Sequence, residues 1–306
     1  MADLYLETGA RIEIPRGAPD YPEGLLDLPD PPARLYVQGE PAALKPGLAI
    51  IGARRATPYG LACASRFAEI AAGMGVTVIS GGAIGCDQAA HQGALAAGGK
   101  TVVVLGCGAN VVYPKRGRAL FESIAAGRGA LVSEQPWDTP PLKWCFRNRN
   151  RIIATLARAV LIVEAGLPSG TFSTADSALE ASRDVLVVPG SIFSRESRGS
   201  NKLLSEGAIP IVDDESFASA INQVFNDGAG LLLECGEMLP PLPCEVSERQ
   251  RRVLSIVAAQ PTAPEDLAAA LGCSVIEAVR DISYLEAHAV LARYPDGSFG
   301  LNPRMR

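Results

Sequence analysis

From about residue 48 onward, short apolar runs rich in β-branched residues alternate with Ala-rich stretches of helical spacing. Strands that are apolar throughout belong to a parallel sheet covered on both faces, because neither face meets water and neither needs alternating polar residues. Seven runs predict strands: 48–53 (LAIIGA), 76–80 (VTVIS), 101–106 (TVVVLG), 130–134 (ALVSE), 159–165 (AVLIVEA), 185–190 (VLVVPG) and 209–212 (IPIV). Helices are expected between them at 59–73, 87–97, 116–126, 173–182 and 215–224. Regular alternation of this kind predicts an α/β fold, an extended Rossmann-like, doubly wound parallel sheet.

Different patterns flank this region. Residues 1–47 are rich in Pro and acids and are expected to form a lead-in segment wrapped on the sheet, the Pro clusters of DYPEGLLDLPDPPARLYVQG forbidding regular helix or central strand. Residues 226–246 carry Gly turns and a Pro cluster and are read as a linker. Residues 247–306 begin with a capping signature at Ser247, contain three helical stretches and end on an Asp296-Gly297 turn between apolar runs, the pattern of a small C-terminal winged-helix domain. The expected organisation is therefore a lead-in at 1–47, a Rossmann-like domain at 48–225, the linker at 226–246 and the winged helix at 247–306. On the presumed recognition helix, 274–288, Glu277, Asp281 and Glu286 outnumber Arg280. That charge suits a DNA major groove poorly and favours a protein partner.

Composition narrows the class. With 306 residues, 48% hydrophobic and 20% charged, the chain is read as globular. Its N-terminus carries acids where a signal peptide carries bases, and no apolar run of about 18 residues predicts a membrane span, so a cytoplasmic location is expected. Seven scattered cysteines without C-x-x-C, beside only two histidines, support neither a disulfide framework nor a zinc site. A net charge of −5 would oppose a polyanionic partner if it were evenly spread. It is not: residues 143–151 (KWCFRNRNR) hold Lys143, Arg147, Arg149 and Arg151 with no acid, and the acids Asp227, Glu234, Glu237 and Glu245 gather in 226–245 without a base.

In open α/β sheets ligands bind outside the carboxyl ends of the strands, so the loops that follow the strands carry the functional signal. GARRATPYG (52–60) turns at Gly52 into a helix with Arg54 and Arg55 beside its start. SGGAIGCDQAAHQGAL (80–95) offers Gly81 and Gly82 for close backbone approach. GCGANVVYPKRGRAL (106–120) adds Lys115, Arg116 and Arg118, and EAGLPSGTFSTADSA (164–178) supplies Ser169, Gly170, Thr171, Ser173 and Thr174 at a further helix start. Backbone N–H groups at such turns bind anions. One glycine turn serves equally for strand-to-helix packing, but several anion sites along one edge suggest a repeated anion such as a polynucleotide backbone. Trp144 and Phe146 stand among the bases of KWCFRNRNRII, and aromatic faces interleaved with cations suit single-strand recognition. The other reading of that segment is a solvated loop whose aromatics belong to the core. Asp87 and His91, four apart, read better as a structural pair at a helix start than as acid–base machinery, since no nucleophile accompanies them.

Taken together these stretches resemble the DNA-processing protein A (DprA, also called Smf) family. The resemblance runs over residues 21–212 through YPEGLLDLPDPPARLYVQG, IGARRATPYG, SGGAIGCDQAAHQGAL, TVVVLGCGANVVYP, LVSEQP, FRNRNRII, SGTFSTADSALEASRDVLVVPG and RGSNKLLSEGA. It implies a Rossmann fold, a homodimer, sequence-independent binding of single-stranded DNA, and loading of the RecA recombinase in natural transformation and recombination. It implies no catalytic cycle and no cofactor. The family's Gly-Ser-Arg turn falls on Gly52, Ala53 and Arg54, and its Phe-Pro-x-Arg-Asn-Arg segment on Phe146, Arg147, Asn148, Arg149, Asn150 and Arg151. Lys115 and Lys143 fall where basic residues are usual, and Lys202 lies in the RGSNKLLSEGA motif. Ala53 in place of Ser or Thr removes a hydroxyl, Arg147 replaces Pro, and Cys86 replaces Ile.

Two other readings stay open. Phosphoribohydrolases of the "lonely guy" type share a similar core, but their P-G-G-x-G-T signature and spaced Glu are missing from LPSGTFSTADSALE. A nucleotide sensor signalling through the winged helix would use the same loops.

Overall fold

The computed structural model describes residues 5–225, 246–259, 262–288, 290–293 and 297–301. The chain divides into two units, Met1–Asp227 and Gly228–Arg306. In the first, the seven expected runs fold as β3 (Gly47–Ile51), β4 (Val78–Ser80), β5 (Thr101–Val104), β6 (Gly129–Ser133), β7 (Ala157–Ile162), β8 (Asp184–Val187) and β9 (Ile209–Pro210). They are preceded by β1 (Arg11–Pro15) and β2 (Arg34–Gly39). The nine strands form one sheet in the order β1-β2-β6-β5-β4-β3-β7-β8-β9. β3 to β9 run parallel, and β1 and β2 are antiparallel additions beside β6.

The side-chain period of two divides the strand residues between two cores. Ala49, Ile51, Val102, Val104, Val160 and Ile162 point to one face, where α4 (Lys143–Leu156) and α5 (Thr171–Glu180) pack. Leu48, Ile50, Ala159 and Leu161 point to the other, beneath α1 (Pro58–Gly73), α2 (Cys86–Ala96) and α7 (Asp214–Phe225). Phe121 of α3 (Arg118–Ser123) fills the adjoining space against Val103 and Leu131. α6 (Arg198–Ser205) completes the unit. The doubly wound Rossmann-like expectation is thus met for this unit.

The N-terminal segment departs from expectation. β2 lies between β1 and β6, paired on both sides, although the Pro clusters were expected to keep it out of such a place. The reason is local: the prolines stop at Pro32, and RLYVQG that follows is free of them and buries Leu35 and Val37 completely. The second unexpected element is α4, because KWCFRNRNRII forms a helix rather than a solvated loop.

In the second unit, α8 (Glu248–Ala259), α9 (Pro264–Leu271) and α10 (Val275–Ala287) precede a hairpin of β10 (Leu291–Arg293) and β11 (Phe299–Leu301). Ser247 caps α8 as expected, its hydroxyl accepting from Gln250 N at 3.3 Å while Gln250 Oε1 accepts from Ser247 N at 2.8 Å. Asp296 and nearly all of the expected linker lie outside the described residues. The acidity argued for the 274–288 helix needs correction. Asp281 accepts from Arg249 Nε at 2.5 Å and Glu277 from Arg249 Nη1 at 3.3 Å, so two of the three acids are committed to α8.

Candidate nucleic-acid interface

The winding direction of the sheet reverses between β3 and β7, neighbours whose following loops diverge to opposite sides. Such a switch point opens a crevice beyond the strand ends, and the sequence places two glycine turns there. Gly52-Ala53-Arg54 leads from β3 into α1, and residues 163–170 lead from β7 into α5. α1 is fixed by Thr57, whose hydroxyl accepts from Gly60 N at 3.2 Å. Buried Glu164 at the end of β7 accepts from Thr57 N at 2.8 Å and from Thr57 Oγ1 at 2.7 Å. A carboxylate at a helix start is favoured by the axial dipole, and its position here keeps Glu164 committed to α1.

A cavity of about 510 Å³ occupies the crevice. Its third wall is α4. At 100° per residue, Lys143, Phe146, Arg147, Asn150 and Ile153 share one helix face, and all five line the cavity. Gly52 and Arg54 face them from the β3 turn, and Ser169, Gly170 and Thr171 from the start of α5. Arg54, Lys143 and Arg147 are exposed cations. Asn150 Nδ2 donates to Ser173 Oγ at 2.8 Å, and Thr171 N donates to Ser169 Oγ at 3.2 Å. Asp87 is the only acid among the described lining residues.

The floor holds a buried guanidinium and a buried carboxyl. Arg149, 4% exposed, donates from Nη1 to Gly81 O at 2.7 Å and to Val104 O. A Cβ on Gly81 would lie 2.4 Å from that same nitrogen, so glycine at 81 makes room for the guanidinium. Burial pushes Arg149 down to about 10, with the Asp87 carboxylate pulling the other way. Asp87 is raised by burial, opposed first by the charge of Arg149. Its Oδ2 accepts from Ala83 N at 3.3 Å.

His91 belongs to neither. Its Nδ1 lies 2.7 Å from Thr101 Oγ1, whose hydroxyl donates to Val78 O at 2.7 Å. The Thr proton being used there, Nδ1 of His91 is the donor; burial holds the ring's pKa down at about 3, so the ring is neutral with its proton on Nδ1. The expected structural pair of Asp87 and His91 is therefore corrected: both are structural, each with its own partners.

Of the residues singled out in the sequence, Gly52, Arg54, Lys143, Phe146, Arg147, Arg149, Asn150, Ser169, Gly170 and Thr171 line the cavity. Gly81, Gly82, Lys115, Arg151 and Lys202 do not. The room above Gly82 is taken by Val103 and Phe121. Arg151, on another side of α4, pairs with Glu134 and donates to Asp30 O at 3.1 Å. Lys115 is exposed on a short turn, and Lys202 pairs with Glu206 at 2.7 Å over the Phe172 ring. Trp144 is 58% exposed, whereas Phe146 packs on Tyr113 with ring centroids 5.3 Å apart. Gly166 and Pro168 line the cavity without having been singled out; their place after the switch-point strand was the available signal. Among the described residues, no three His, Cys, Asp or Glu side chains gather to hold a metal, and no helix is long and apolar enough to cross a membrane.

Residues 13–222 match the family model of DNA recombination-mediator protein A. The chain belongs to this family. Among family members, Protein Smf of Escherichia coli is 42% identical over 212 residues, 69% of this chain and 57% of that protein. DNA processing protein DprA of Bacillus subtilis is 36% identical, covering 67% of this chain and 69% of its own length. The chain thus spans little more than half of the Escherichia coli relative. The solved structure of DNA processing protein A from Helicobacter pylori, a protein with a single-stranded DNA binding mode, superposes with a TM-score of 0.64 at 32% identity. That likeness covers 72% of this chain and 97% of the other.

Proposed function

We propose that this family member binds single-stranded DNA without regard to sequence through the switch-point crevice, as a cytoplasmic DNA-processing protein of transformation and recombination. The observation that carries the reading is the cavity wall: three exposed cations, Arg54, Lys143 and Arg147, surround backbone and hydroxyl donors, and the one lining acid is buried beside Arg149. Phosphate contacts of this kind position a strand but read no bases. Gly52, Ser169, Gly170, Thr171 and Asn150 serve the phosphates, with Phe146 available to a base edge. Arg149 acts through the shape of the floor. Lys115, Lys202, Arg151, Gly81 and Gly82 stand outside the cavity and belong to this reading only as flanks of a longer track. A homodimer, delivery of DNA to RecA and the absence of a catalytic cycle extend the proposal from the family resemblance; a winged-helix role for α8–α10 and their hairpin extends it from the sequence pattern.

A mononucleotide ligand is the second reading, because a cavity near 510 Å³ falls in the range of about 300–1,000 Å³ typical of small-molecule sites. The test is fluorescence anisotropy with oligothymidylate, the matching duplex and adenosine monophosphate as competitors. Preference for the single strand supports the proposal. Tight mononucleotide binding without oligomer binding would replace it with a sensor, and release of adenine from the monophosphate would replace it with an enzyme.

A further inference from the structure

Beside the cavity, residues 189–197 between β8 and α6 form a loop that nothing in the proposed phosphate site uses. Its geometry is fixed. Asn201 holds Gly190 from both sides, accepting from its N at 3.1 Å and donating to its O at 3.0 Å. Tyr59 OH donates to Pro189 O at 2.9 Å, and Ser194 N donates to Ser191 O at 3.0 Å, closing a tight turn over 191–194. The two central residues of such a turn are usually Gly, Asn, Asp, Ser or Pro. Here they are Ile192 and Phe193, exposed by 76% and 89%, so a braced turn presents an apolar tip to water.

The tip is next to the cavity and among cations. A Cβ on the cavity-lining Gly166 would lie 3.4 Å from Arg195 O, so the loop forms part of the rim. Arg54 lines that cavity from the β3 turn, and its neighbour Arg55 is close enough to act on the loop. Glu196 is held below the usual carboxylate range by its own backbone N–H, then by the Ser194 hydroxyl and the charges of Arg195 and Arg55. Arg195 and Arg198 are exposed. Glu196 offsets one of these positive charges, leaving an excess of cations around an exposed ring. An exposed aromatic ring flanked by unneutralised cations matches a base with its phosphates, since bases stack on rings while the backbone tracks positive charge.

We propose that Phe193 is a stacking platform for a base of the same single strand, just beyond the nucleotides held in the crevice, with Arg55, Arg195 and Arg198 following its phosphates. This rests on the reading of the crevice as a single-strand site. The rigid turn keeps the ring available without a cost of ordering the loop on binding.

The experiment compares the parent chain with Phe193→Ala, Phe193→Leu and Phe193→Trp on oligothymidylates of about 4 and about 16 nucleotides, the span of single-strand site sizes. Phe193→Ala is expected to weaken the longer oligomer about tenfold and to leave the shorter one unchanged, as befits one lost stacked base. Phe193→Leu should behave like Ala, and Phe193→Trp should keep affinity and show fluorescence quenching by the long oligomer beyond that of the parent chain. Equal affinity of Phe193→Ala and parent for the long oligomer would overturn the platform while leaving the crevice reading intact. Failure of the parent chain to bind either oligomer would overturn both. A loss of oligomer mass in Phe193→Ala by sedimentation, with DNA binding per protomer unchanged, would assign the tip to a second copy of the chain.

Discussion

Replacing Arg149 with Met separates the structural from the ligand-binding share of the basic helix. The guanidinium is 4% exposed and donates to Gly81 O and Val104 O, and it is the leading charge that favours ionised Asp87. Each buried bond from a charged donor contributes about 1.5–3 kcal/mol. Both bonds come from one side chain and are lost together, so their costs overlap. Arg149→Met is therefore expected to destabilise the first unit by about 2–5 kcal/mol, less than the simple sum. Urea unfolding followed on Trp137 and Trp144, the chain's two tryptophans and both in that unit, measures it. Asp87→Asn should cost less in the Arg149→Met background than in the parent, with a coupling of about 1–3 kcal/mol. Arg147→Ala, which removes an exposed cation two residues away, should stay within about 0.5 kcal/mol of the parent. A cost below about 1 kcal/mol for Arg149→Met, or additive single and double variants, would refute Arg149 and its coupling to Asp87 as the support of the floor.

Other consequences follow from the surrounding contacts. His91 has its folded pKa depressed to about 3, so it withholds a proton that the unfolded chain binds near 6.5. Its contribution is thus present above about pH 6.5 and lost as pH falls from there toward 3, amounting to about 2 kcal/mol between pH 7 and pH 5. Urea midpoints at those two pH values should show that loss in the parent and a shallower loss in His91→Asn, whose amide can replace the Nδ1–H donor; equal slopes would refute the neutral buried ring. Thr57→Ala removes both the α1 cap and the donor to buried Glu164. It should cost about 2–3 kcal/mol by the same unfolding assay, and Thr57→Ser should recover most of it.

How far the sequence disclosed this depends on the range of each interaction. Strands β3 to β8 were legible because burial on both faces leaves largely apolar runs, and the crevice because glycine turns end β3 and β7. β1 and β2 were hidden by neighbouring prolines, which are conspicuous in composition although they stop just short of the pairing residues. α4 was harder: KWCFRNRNRII reads as a basic strip, and only its helical rotation shows that Arg147 faces the cavity, Arg149 the floor and Arg151 Glu134. The roles of Gly81 and His91 lay in contacts with Arg149 and Thr101, 68 and 10 residues away along the chain, which no local pattern reports.

The central claim is that exposed cations of the crevice neutralise phosphates of a single strand. Its most direct test is the salt dependence of oligothymidylate affinity for the parent chain and for Arg54→Ala/Lys143→Ala. Each phosphate contact contributes about 0.7 to the slope of log affinity against log salt for a single strand. The double variant should therefore lose about 1.4 in slope and bind more weakly for every sequence tried, with unfolding midpoints unchanged. Parent-like affinity and slope in that variant would contradict the account.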